Sequence, residues 1–218
     1  MVLTYLKECN MKRFGNLLIA FLCIMTLVLC SFAGIRSREG VKRAQISSVL
    51  PPISLLKSGD IILREGNSFV SDVLKDFSQK EKRYSHAGII HIEGPKAFVY
   101  HIIAAENGKP SYMLKELLAL FCNSTDNNSY AIYRTVADGV AVDRKAGELY
   151  LTHPQFDAQF DLGTDDKLYC TELVYKVFRS ASNGKKIINL SHANGRDYVA
   201  CDNLYLDNQS RLIFSHSY

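Results

Sequence analysis

Metal-ligand spacing is missing from this chain. No Cys-x-x-Cys pair occurs in its 218 residues, and the six histidines lack the spacing of a ligand set, so no metal site is expected. A strong charge of one sign is missing too. Lys and Arg number 26 against 22 Asp and Glu, for a net charge of +4, and no basic stripe with interleaved aromatics exists, which excludes a nucleic-acid footprint. Apolar runs are short. The longest, Leu17 to Leu29, falls well below the ~20 residues of a comfortable membrane span. Internal repeats and low-complexity tracts are absent, which removes the solenoid class.

What is there is an ordinary globular composition, 47% hydrophobic and 22% charged, enough for one domain with its own core behind a leader. Lys12 and Arg13 followed by the Leu17–Leu29 run have the layout of a signal-peptide n-region and h-region. Ser31-Phe32-Ala33 supplies small residues at the exit, so cleavage after Ala33 is expected. Two alternatives stay open: a lipid anchor on Cys30, although Leu29 is bulky for a lipobox, and an uncleaved N-terminal membrane anchor. All three make the rest of the chain exported, to the periplasm or cell envelope. Without residues 1–33 the chain keeps 23 basic and 21 acidic residues, a nearly balanced surface. Residues 34–52, polar and basic and ending in Pro51-Pro52, read as a linker, with the folded domain over 53–218.

Beyond the leader remain Cys122, Cys170 and Cys201. An odd count leaves one thiol unpaired; a Cys122–Cys201 bridge would leave Cys170 as that thiol.

Ser58-Gly59-Asp60 is a turn before the apolar strand Ile61-Ile62-Leu63, and Asp60 reads as a turn residue. Phe69, Val70, Val73, Leu74 and Phe77 keep helical spacing. Residues 84–92 and 97–105 read as strands around the turn Glu93-Gly94-Pro95-Lys96, hence an antiparallel hairpin. With that turn, opposed residues carry numbers summing to about 187 or 189, which places His86 and His101 on one face and His91 on the other. Ser111 is read as the cap of a helix through Leu114, Leu117, Leu118 and Phe121. A strand over 130–136 and a helix over 140–151 follow.

Cys170, Leu173, Val174, Val177 and Phe178 fall at i, i+3, i+4, i+7 and i+8 and form one apolar stripe of a helix that stops at Asn183-Gly184. Asp165 and Asp166 upstream are good N-cap residues. Cys170 therefore sits in the first turn, where the dipole favours a thiolate. The competing reading is that Cys170 simply begins the buried stripe. A cysteine so placed becomes a nucleophile when a histidine can take its proton and a third polar group orients that histidine. Cys170, His86 and His101 are those three types.

Gly59-Asp60-Ile61-Ile62, then Ser85-His86-Ala87-Gly88-Ile89-Ile90, then Tyr169-Cys170-Thr171-Glu172-Leu173-Val174 resemble the circularly permuted papain-like cysteine peptidases and amidases of the YiiX/YaeF type, relatives of the NlpC cell-wall hydrolases. The likeness covers roughly residues 55–178, and the order, histidine before cysteine, is the permuted one. It implies an α+β fold, an antiparallel sheet packed on the cysteine helix, with Cys170 as nucleophile and His86 as general base and acid. The third position falls on His101, where the family often has glutamate. Glu106 is the rival, on the wrong face if the strand continues. Tyr169 would line the oxyanion or substrate site; otherwise it is a packing aromatic. No cofactor is implied. The substrate would be a peptide or peptidoglycan fragment cleaved at an amide through an acyl-enzyme. The alternatives are an acyl-lipid handled by an acyltransferase or thioesterase on the same fold, and a non-catalytic binding module.

Overall fold

The protein is described here by a computed structural model over residues 47–104, 111–206 and 209–218, all within a compact unit running from residue 46 to 218. The leader with Cys30 and Ala33, the linker up to residue 46, and Glu106 lie outside the described residues.

Ten strands and four α-helices follow one another: β1 (Ile61–Gly66), α1 (Phe69–Lys75), β2 (His86–Glu93), β3 (Lys96–Ile102), β4 (Met113–Leu117), α2 (Leu118–Phe121), β5 (Asn127–Thr135), α3 (Gly139–Tyr150), β6 (Gln155–Phe156), β7 (Lys167–Leu168), α4 (Cys170–Ala181), β8 (Ser191–Ala193), β9 (Arg196–Tyr198) and β10 (Ser210–Ser217). Six strands form one sheet in the order β10-β5-β1-β2-β3-β4. Every neighbouring pair in it is antiparallel. The fold is thus α+β around a large antiparallel sheet.

Both faces of the sheet are covered, and strand alternation sorts the residues between them. Ile61, Leu63, Ala87, Ile89 and Tyr100 face Leu173, Val174, Val177 and Phe178 of α4 and Val142 and Ala146 of α3. Ile62, Ile90 and Val99 face the other way, onto Leu118 and Phe121 of α2 with Tyr130 and Ile132. Each large apolar side chain so buried contributes about 1.5–3 kcal/mol, which makes the α4 stripe the main attachment of that helix. Among the described residues no helix is long and apolar enough to cross a membrane.

The hairpin register is the expected one. Ile89 pairs with Tyr100 and His91 with Phe98, sums of 189, so His86 and His101 are diagonal neighbours on one face.

Three expectations are corrected. The stretch read as a helix from Ser111 to Phe121 is strand β4 followed by the single turn α2, because Met113 to Leu117 pair with Phe98 to Ile102 and this long-range ladder overrides the local helical spacing. The N-cap of α4 is Tyr169, whose backbone N–H donates to Glu172 Oε2 at 3.1 Å. Asp165 does not cap the helix; it pairs with Lys176 at 2.7 Å. Cys122 and Cys201 form no bridge: Cys122, Cys170 and Cys201 are all free and buried. Cys122 packs with Phe121 and Tyr130, whereas Cys201 packs with the α4 residues, so the sheet lies between them.

Candidate active site

Cys170 opens α4, whose residues pack against Ala87 and Ile89 of β2. The β2–β3 ladder runs from Ile89–Tyr100 to Glu93–Lys96, so His86 to Gly88 extend beyond it. The backbone N–H of Ala87, the residue after His86, hydrogen-bonds to the Cys170 thiol, as do those of Thr171 and Cys170 itself. Three backbone donors therefore converge on the sulfur, where they favour its anionic form.

His86 and His101 are brought together directly, with His86 Nε2 3.0 Å from His101 Nδ1 and their rings nearly perpendicular at 85°. His101 is 1% exposed, while His86 is half-buried. The Nε2 contact leaves His86 Nδ1 as the atom able to take a proton from a nucleophile. Gly88 makes the approach possible. A Cβ there would lie 2.4 Å from Val99 Cγ1 and 3.2 Å from His101 Cβ, so any larger residue would push the His101 strand away.

Two charged residues that sequence reasoning did not single out complete this face. Arg64, opposite His86 on β1, donates to the Phe121 carbonyl at 3.0 Å with its guanidinium 4.5 Å above the Phe121 ring. Phe121 also holds the rings of His86 and His101, at 5.6 and 5.1 Å. Glu116 on β4 brings Oε2 to 3.3 Å from His101 Nε2. The alternation of a strand reading over 113–117 would have found Glu116, which pairs with Val99 and so shares the face of His101. Arg64 carried no local signal beyond its place opposite His86.

Burial pushes the Cys170 thiol above its ordinary range, and the backbone donors and Arg64 offset this only in part. The thiolate expected from the helix dipole is therefore not the resting form: desolvation outweighs the dipole. His86 is held well below its usual value, first by desolvation, then by Arg64 and His101. Thiol and imidazole both rest neutral near pH 7, so any attack by the sulfur would require a proton to move.

Tyr169 lines the cavity beside Cys170, but its hydroxyl accepts from the Val199 N–H at 3.0 Å. The cavity measures about 450 Å³; Val73, Leu74, Phe77, Phe160, Tyr198 and Val199 make its lining mainly apolar, and Asp76, Arg196 and Asp197 are the charged groups on it. Phe77 stacks on Phe160 at 5.2 Å, and Phe160 meets Tyr169 at 5.1 Å, giving a continuous aromatic wall.

A histidine on a sheet strand followed in the chain by a cysteine at a helix N-terminus defines the permuted papain-like class. Residues 55–195 match the family described as permuted papain-like amidase enzyme, YaeF/YiiX, C92 family, and the chain belongs to that family. It is 28% identical over 130 residues to the uncharacterized protein YiiX of Escherichia coli strain K12, covering 57% of this chain and 58% of that protein's length. Its fold resembles the crystal structure of the metalloprotein yiiX from Escherichia coli O157:H7, with a TM-score of 0.58 and 17% identity, over 74% of this chain and 98% of that one. Among the described residues of this chain, no three His, Cys, Asp or Glu side chains gather into a set that could hold a metal ion.

Proposed function

We propose that this protein is a cysteine hydrolase that cleaves an amide, of peptide or peptidoglycan type, through an acyl-enzyme on Cys170. The observation that carries this reading is the His86 Nε2–His101 Nδ1 contact of 3.0 Å on the strand whose next backbone N–H reaches the Cys170 thiol. The Cys170 proton passes to His86 Nδ1 as the sulfur bonds to the substrate carbonyl carbon. The oxyanion that forms is held by backbone donors at the start of α4, the N–H of Cys170 first among them. His86 then gives its proton to the leaving nitrogen as the C–N bond breaks. Water, deprotonated by His86, releases the acid and restores the thiol. The leader would carry this activity to the cell envelope.

A second reading, an acyl-lipid substrate, is favoured by the cavity. Its walls are mainly apolar, and α1, which contributes Val73 and Leu74, leaves Phe69 82% exposed and Val70 55% exposed beside them. Polar and charged walls would suit a peptide better. Side-by-side turnover of peptide amides and fatty-acyl thioesters by wild type and Cys170→Ala tests both readings. Cys170-dependent release from peptides supports the amidase, and release confined to acyl thioesters moves the assignment to lipid. Turnover of neither, with no labelling of Cys170 by an activated acyl probe, leaves a binding module.

A further inference from the structure

His86 can act as a base towards Cys170 only if its Nδ1 carries no proton, so its single proton must sit on Nε2. That Nε2 faces His101 Nδ1 at 3.0 Å, and one of these two nitrogens must donate while the other accepts. Two arrangements satisfy the contact. In one, His86 Nε2–H donates to a bare His101 Nδ1, and His86 Nδ1 is free to accept. In the other, His101 Nδ1–H donates to a bare His86 Nε2, and His86 Nδ1 is blocked by its own hydrogen. Nothing within a pair of neutral imidazoles selects between them. Selection has to come from the far side of His101, and there Glu116 Oε2 stands 3.3 Å from His101 Nε2. A carboxylate only accepts, so it favours the form of His101 with its proton on Nε2 and a bare Nδ1.

We propose that Glu116 is a positioning residue that sets the tautomers of His101 and, through it, of His86, so that the strand pair presents an unprotonated His86 Nδ1 to Cys170. The register supports the role. Glu116 lies opposite Val99, two residues from His101 on the same face of the neighbouring strand, and its long side chain spans that diagonal. His101 is 1% exposed, so solvent does not compete for its ring. Burial holds the Arg64 guanidinium below its ordinary range, and the Glu116 charge offsets this in part, favouring its charged form. Glu116 in this way balances a cation that would otherwise disfavour any proton arriving on His86. The inference rests on the reading of Cys170 and His86 as nucleophile and base, but its test does not.

The test is long-range ¹H–¹⁵N correlation of the imidazole nitrogens at pH 8, on wild type and Glu116→Gln, alongside Cys170 alkylation by iodoacetamide. In wild type, both His86 and His101 are expected to carry their proton on Nε2. In Glu116→Gln the amide can donate as well as accept, so signals of the Nδ1–H form are expected on both rings, with alkylation slower by on the order of tenfold. A residue that only stabilises the fold would lower the melting temperature and leave the tautomers unchanged. A proton on Nδ1 of His86 in wild type overturns the proposal without any variant, and unchanged tautomers in a folded Glu116→Gln protein overturn it as well. If the tautomers shift as expected yet no acyl substrate is turned over by wild type, the relay stands and the hydrolase reading fails.

Discussion

Strand β2 carries two histidines in close contact with a partner, and they are not equivalent. His91 Nδ1 lies 2.8 Å from Asp143 Oδ1 of α3, beside Tyr100, and by geometry alone this imidazole–carboxylate pair is the more obvious dyad. His86 has a second imidazole as partner, at 3.0 Å. Yet Cys170 meets the strand at Ala87, about 13 Å along it from His91, although α4 packs on the face that His91 shares. The carboxylate against His91 makes a short local tie between β2 and α3. The carboxylate on the other face, Glu116, reaches His86 only through His101. On the proposed assignment, the place of the thiol, and not the quality of the histidine's own hydrogen bond, selects between the two histidines.

The largest effect that could break this contrast is removal of His86. His86→Ala is expected to lower kcat by about 10³-fold, as Cys170→Ala removes turnover altogether, both read in a steady-state assay on the preferred acyl substrate. Next is the pH dependence of Cys170 alkylation. Because burial raises the thiol and depresses His86, no thiolate–imidazolium pair is preformed. The rate should climb about tenfold per pH unit, roughly a hundredfold from pH 6 to 8, as the small thiolate fraction grows. A rate that is flat over that range would mean a preformed ion pair. Gly88→Ala comes third: the added methyl meets Val99 and His101, and separating the two rings should cost about tenfold in kcat with little change in KM. Smallest is His91→Ala, which should leave turnover within about twofold and cost about 1–2 kcal/mol in denaturant unfolding. A large loss of turnover there would reverse the comparison.

The hairpin and α4 were legible because their signals are local and periodic. Alternation through residues 86–92 and the turn at Gly94-Pro95 fixed a register in which only parity mattered, and parity put His86 with His101. The stripe from Cys170 to Phe178 gave the helix in the same way. The stretch 111–121 misled because Leu114, Leu117, Leu118 and Phe121 have helical spacing, whereas the decisive force is pairing with a strand some fifteen residues earlier. With residues 111–121 taken as a helix, Glu116 belongs to no strand face, and Glu106 is the carboxylate the sequence offers for the site. Cys122 and Cys201 misled for a different reason: counting thiols says nothing about which side of a sheet each occupies. The state of Cys170 was also beyond the sequence, since a helix N-terminus is visible in local residues but the burial that opposes it is set by distant ones.

The central claim is that Cys170 is the nucleophile and His86, not His91, its base. The most direct measurement is the rate and position of acyl-adduct formation with an activated acyl thioester, followed by intact-mass and peptide mass spectrometry. The account predicts a single adduct on Cys170 in wild type, forming at nearly the same rate in His91→Ala, and at least about a hundredfold more slowly in His86→Ala. An adduct on Cys122 or Cys201, or a rate lowered by His91→Ala and untouched by His86→Ala, would contradict it.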